Sequence, residues 1–181
     1  QAFSLQFASS KDLVYTCACL RKQGEVKQED NVAWKVNLVA PMKGKPYLLE
    51  RPGMNVNDIV VFDTENSMYL VDCDGNIVWR NEFTEAPMSD VFVVKTSDNQ
   101  TKFMFNTANY LHLIDREGND ADGFPKKLLS EASNGMALIQ YEGGAEARAI
   151  VCGTDRFVYN YDLNGDEVEG WNRHRTDNVV T

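Results

Sequence analysis

The sequence predicts an all-β chain, a β-propeller of about four four-stranded blades, and three observations carry that reading. Residues 59–79 (IVVFDTENSMYLVDCDGNIVW) read as two short strands, a tight Asp-x-x-Gly turn and a third strand. The same layout returns at residues 103–124 and 149–171. The turn aspartates Asp72, Asp115 and Asp162 lie 43 and 47 residues apart, and Gly75, Gly118 and Gly165 keep both spacings. A period near 45 with several strands per repeat marks stacked β-blades, each burying its apolar faces on its neighbours.

The units fall at about residues 1–40, 45–83, 89–129 and 134–175, within a single propeller domain or fragment. In the first, residues 2–9 and 12–20 have strand character, and residues 32–38 (VAWKVNL) predict a third strand bearing Trp34. Their connector, RKQGEVKQED, is long and highly charged, so this unit reads as a degenerate blade with an extended surface hairpin. The second unit offers PYLLE, DIVVFD, SMYLVD and NIVWRNEF as its strands. The third offers DVFVVKTS, TKFMFNT, YLHLID and FPKKL, and the fourth GMALIQYE, ARAIVCG, RFVYNYD and EVEGWN. Gly, Asn, Asp and Pro separate them, as turns require. Only KKLLSEA has a helical period, and it is too short to form a helix alone. Residues 176–181 (TDNVVT) read as an opening strand with nothing after it. That strand either completes the first blade and closes a four-bladed ring, or the chain is an arc of a larger propeller, the reading favoured here. The start at Gln1 agrees with a cut or processed piece.

Composition bounds the function. The chain has 181 residues, 43% hydrophobic and 25% charged, ordinary values for a folded domain. A formal net charge of −9 repels phosphate backbones and anionic membrane faces, and the short basic run Arg173–His174–Arg175 does not offset it. No apolar run is long enough to span a membrane as a helix. Nucleic acid and membrane insertion are therefore not expected. The four cysteines, Cys17, Cys19, Cys73 and Cys152, lack the pattern of a disulfide scaffold. Cys17 and Cys19, two apart in a predicted strand, share a face and could pair on a metal or in redox chemistry; with no further Cys or His cluster, buried thiols are the simpler reading.

The second unit resembles the repeat of quinoprotein-like (pyrroloquinoline-quinone-type) β-propellers. Met68-Tyr69-Leu70-Val71-Asp72, Gly75 and Trp79 stand in the order of that repeat. Leu111-His112-Leu113-Ile114-Asp115 with Gly118 and Phe124 follows it, as does Val158-Tyr159-Asn160-Tyr161-Asp162 with Gly165 and Trp171. The phrases GDEVEGW and DGFPKK also resemble repeats in envelope proteins of Bacteroidetes-type bacteria of unassigned function. The resemblance implies a propeller fold and an extracytoplasmic setting, in the periplasm or at the cell surface.

Four groups of residues are candidates for chemistry. Asp72, Asp74 and Asn76, and Asp162, Asn164, Asp166 and Glu169, set oxygen ligands at alternate positions as calcium loops do. Their glycine falls fourth rather than sixth, and the third unit has only Asp115, Asn119 and Asp120, so a hairpin turn is the plainer reading. Trp34, Trp79, Phe124 and Trp171 close the four units and predict packing wedges between blades rather than a quinone-stacking site. Tyr69, His112 and Tyr159 share one register position. His112 there is either a ligand or acid–base group or, more simply, a packed residue with one nitrogen satisfied; His174 is expected to be solvated. Asn99-Gln100-Thr101 is formally a glycosylation triplet. No nucleophile elbow, P-loop, dinucleotide fingerprint or zinc-protease motif is present in the sequence.

The expectation is a non-catalytic propeller module, without cofactor, acting as a rigid scaffold for a protein or glycan partner in the bacterial cell envelope. The further blades of a longer parent chain are additional expected partners. The alternatives are a calcium-stabilised adhesion repeat and a fragment of a quinone-dependent dehydrogenase.

Overall fold

The computed structural model describes residues 2–10 and 13–21 at the level of backbone, and residues 32–51, 53–96, 100–140 and 147–181 with their side chains. Every regular element among the described residues is a strand. β1 (Ala2–Ser10) and β2 (Leu13–Arg21) form an antiparallel pair. Three four-stranded antiparallel sheets follow. The first takes β3 (Met42–Glu50), β4 (Asn57–Asp63), β5 (Ser67–Val71) and β6 (Ile77–Glu82). The second takes β7 (Phe92–Lys95), β8 (Thr101–Asn106), β9 (Tyr110–Ile114) and β10 (Lys126–Lys127). The third takes β11 (Ala137–Gln140), β12 (Ala147–Cys152), β13 (Phe157–Tyr161) and β14 (His174–Arg175). In each of the three, strands neighbour one another in chain order, an up-and-down meander consistent with blade-like repeats.

The middle strands explain why this sequence stacks sheets. From Asp58 to Asp63 β4 is buried at every residue, as is all of β5, so they carry near-continuous apolar runs rather than a period of two. Val60, Phe62, Met68 and Leu70 point one way and join Val91, Phe103, Phe105 and Ile114 of the next sheet. Ile59, Val61, Tyr69 and Val71 point the other way, onto Trp34, Val36 and Leu38. The second sheet repeats this device: Met104, Leu111 and Leu113 pack with Ala147, Ala149, Val151, Tyr159 and Tyr161 of the third. The three sheets are thus layered in chain order with one apolar cluster per gap.

The third sheet differs on its far side. β12 alternates buried and half-buried residues, with Arg148, Ile150 and Cys152 on the less covered face.

Several sequence expectations need correction. Residues 32–38 do not form a strand; they run as irregular backbone while Trp34, Val36 and Leu38 still pack on the first sheet, so apolar burial survives without a ladder. The closing strands of the second and third sheets shrink to two residues each, and EVEGW lies outside β14. Residues 176–181 are no strand either: Thr176 donates its amide to the Arg156 carbonyl (2.8 Å), and the Val180 carbonyl accepts from the Ser133 hydroxyl (2.6 Å). No described helix is long and apolar enough to cross a membrane. The connector between β2 and residue 32, the side chains of Cys17 and Cys19, and Asn99 of the glycosylation triplet lie outside what is described.

Candidate functional site

The Asp–Gly turns are closed structural units. The Asp72 carboxylate accepts the amides of Asp74 (3.0 Å) and Asn76 (2.8 Å) and the Asn76 side-chain amide (3.0 Å). Asp162 accepts the amides of Asn164 (2.9 Å) and Asp166 (3.0 Å), and Asp115 that of Asn119 (2.7 Å). Gly75, Gly118 and Gly165 sit at φ of 85°, 90° and 74° and donate their amides to those same aspartates' carbonyls. The Asn76 side chain, then its amide, hold the Asp72 carboxyl below its usual range. Asp166 pairs with Lys126 (2.9 Å), and Glu169 is exposed. These oxygens serve turns and ion pairs, and no cluster of three or more metal-ligating side chains forms among the described residues.

The closing aromatics cover these turns, each reaching from one unit to the next. A β-carbon built on Gly75 would meet Trp34 at 2.6 Å, and one on Gly118 would meet Trp79 at 2.9 Å. Phe124, together with Lys126, stands in the same relation to Gly165. Trp79 also donates its indole N–H to the Arg116 carbonyl (2.8 Å), and the Asn81 amide bonds the Gly118 carbonyl. Trp171 differs: its indole N–H turns back to Val158 of its own sheet (3.0 Å), and its ring meets His174 edge-on (5.5 Å). His174 is exposed, as expected.

Two of the three ring residues at the shared register are sealed by a carboxylate and an arginine. The Tyr69 hydroxyl donates to buried Asp63 (2.6 Å), and Arg80 lies over its ring (5.7 Å) while bonding Ser67 and pairing with Glu82. The Tyr159 hydroxyl donates to Asp155 (2.5 Å), and Arg173 lies over its ring (5.1 Å), held by Glu167 through two bonds of 2.7 Å. Burial, with the Asp155 bond, pushes the Tyr159 phenol up to about 12.

His112 has neither seal. It is buried, stacked on Phe105 (4.7 Å, 5° between planes) and met edge-on by Phe83 (5.2 Å). Among the described residues neither Nδ1 nor Nε2 finds a hydrogen-bond partner, which corrects the expectation of one satisfied nitrogen. Burial drives its pKa down to about 4, against an upward pull from the Glu85 carboxylate, so the imidazole is neutral. Glu85 is itself held by the Asn109 amide and side chain (2.9 Å each). His112 lines an open cleft of about 580 Å³ between the first two four-stranded sheets, with Phe83, Glu85, Tyr110, Asp120 and Pro125 on its walls. The sequence marked His112 but missed Glu85 and Pro125; comparing Arg80 and Arg173 with Pro125 across the repeats was the available signal.

A second, more apolar cleft of about 360 Å³ lies between β3 and β7, lined by Tyr47, Leu48, Val91, Val93 and Phe103. On its rim, Asp90 accepts from Lys45 (2.6 Å) and the Tyr47 hydroxyl (3.0 Å).

A scan against protein-family models gave no match, and a search of curated proteins found no similar chain.

Proposed function

We propose that this chain is a non-catalytic propeller module, a rigid scaffold presenting clefts between its blades to a protein or glycan partner in the bacterial cell envelope. The observation that carries this reading is the lock between successive units: a tryptophan of one unit seated on the turn glycine of the next at Trp34–Gly75 and Trp79–Gly118, with Lys126 and Phe124 together covering Gly165. A lock repeated at each step holds the side chains of the inter-sheet clefts at set separations, which lowers the ordering cost of binding. The less covered face of the third sheet, with half-buried Ile150 and Cys152, suits one more blade of the same kind.

The test presents the immobilised chain to arrays of glycans and of bacterial envelope proteins, and measures saturation by interferometry. Saturable binding with no turnover supports the scaffold. Dye reduction with alcohols after loading with pyrroloquinoline quinone and calcium would sink it in favour of a dehydrogenase, as would silence on both arrays.

A further inference from the structure

We propose that His112 is an acid-operated latch: when its imidazole takes up a proton, residues 83–88 lift away and open the gap between the first two four-stranded sheets. The inference goes beyond the scaffold reading and stands on how this gap is packed.

The middle repeat departs from its sisters at one ring. Extending the pairing registers sets Arg80 opposite Tyr69, Arg173 opposite Tyr159 and Pro125 opposite His112. The carboxylate that seals each tyrosine is missing too. Six positions before the ring, Asn106 stands in the place of Asp63, and four positions before it Ala108 stands in that of Asp155. A phenol stays neutral throughout the acid range, whereas an imidazole is the ring that takes up a proton there. The substitution at this register therefore exchanges a sealed, inert ring for a titratable one.

The proton has no place in the closed packing. His112 is buried, and among the described residues neither nitrogen has a hydrogen-bond partner. Phe105 stacks parallel to the ring, off the plane in which both N–H bonds of an imidazolium point. A charge buried with neither N–H satisfied is costly, and burial accordingly drives the pKa down to about 4. The charged and titratable groups around the cleft are Glu85 from the segment after β6, Arg80 and Glu82 from β6, Tyr110 from β9 and Asp120 from beyond it. Arg80 is paired with Glu82 (2.9 Å). Glu85 pulls on the imidazole, yet its carboxylate is held by the Asn109 amide and side chain (2.9 Å each).

Backbone pairing decides which part moves. β8 and β9 are paired on both sides within their sheet, so neither withdraws from the ring alone. Residues 83–88 belong to no strand. They are held by the Phe83 amide on the Asn66 carbonyl (3.1 Å), the Met88 amide on the Asn106 carbonyl (2.9 Å) and the bonds between Glu85 and Asn109. Phe83 meets His112 edge-on (5.2 Å), so its departure uncovers the imidazole.

Native-state hydrogen exchange of the full chain at pH 7 and pH 5 in low urea, corrected for the intrinsic pH dependence of exchange, tests the latch. That interval lies above the range in which Glu85 titrates: burial raises its carboxyl, but the Asn109 and Thr107 side chains hold it below 4.5. With a pKa of 6.5 when open and about 4 when closed, the open fraction should rise about twentyfold. The Phe83, Met88 and Asn109 amides should lose protection by that factor, through an opening that low urea leaves unchanged. His112→Phe keeps an aromatic ring on Phe105 without the titration, and Ala108→Asp with His112→Tyr rebuilds the sealed pair of the third repeat. In both variants the loss should disappear. Unchanged protection at pH 5, an equal loss in either folded variant, or a loss that grows with urea as global unfolding does overturns the latch.

Discussion

Trp79 bears so closely on Gly118 that a β-carbon there would sit 2.9 Å from an indole carbon, while the same indole donates to the Arg116 carbonyl two residues earlier (2.8 Å). The glycine is required twice, once by its φ of 90° and once by the ring above it. Gly44, at φ of 73° with nothing within 4 Å, meets only the first requirement. Gly44→Ala should cost about 1 kcal/mol, whereas Gly75→Ala and Gly118→Ala should each cost about 2–4 kcal/mol. Urea denaturation compares them directly. Equal losses at all three would deny the aromatic any part in the lock.

The Tyr69–Asp63 bond makes stability depend on acid. Burial raises the Asp63 pKa, but the Tyr69 hydroxyl and the Ser67 and Glu65 amides outweigh it and the net shift is downward. A carboxyl lowered on folding contributes stability that is complete above its unfolded value, about 4, and is lost as pH falls through the lower folded value. Asp63→Asn should therefore flatten the acid limb of the melting profile below about pH 4. Tyr69→Phe should cost about 1.5 kcal/mol near neutral pH. An unchanged acid limb in Asp63→Asn would show that the carboxyl does not titrate as described.

His112 acts over a different window. Its folded pKa of about 4 lies below the unfolded value of 6.5. The neutral form is the one the fold holds, so stability is complete above about pH 6.5 and declines toward pH 4 as the unfolded chain takes up the proton first. The decline should total on the order of 3 kcal/mol. His112→Phe, which removes the titration, should level the profile across that interval, and a wild-type profile already flat there would contradict the burial of a neutral imidazole.

Asp58 ties the first two four-stranded sheets together. Its buried carboxylate pairs with Arg51, the residue just after β3 (2.5 Å), and with Arg116, which also bonds the Glu50 carbonyl (3.1 Å). Asp58→Ala leaves both guanidinium groups without this anion and should destabilise by about 2 kcal/mol. Because the carboxylate is buried, the loss should persist in high salt. A loss that vanishes in salt would reclassify the tie as a surface pair.

The strands were legible where a buried apolar run or an Asp-x-x-Gly turn announced them. β4, β5, β9 and β13 lie where DIVVFD, SMYLVD, YLHLID and RFVYNYD read as strands, because both faces of those segments are buried or the turn beside them is self-contained. Outer strands were less legible. VAWKVNL carries strand residues but no ladder, since its apolar side chains are satisfied by packing on the neighbouring sheet alone. The four-stranded repeats themselves are present in three successive antiparallel sheets.

By itself the sequence determined the all-β character, the repeat and the turns, since each turn is completed by hydrogen bonds reaching no more than four residues from its aspartate. It also marked Tyr69, His112 and Tyr159 as one register. Only the tertiary structure decided which aromatic covers which glycine, some 40 residues along the chain, and that His112 alone of the three ring residues goes unsealed. Those outcomes depend on how whole sheets stack, on a proline opposite one ring and arginines opposite the others. Residue type announces such pairings only after strand registers are in place.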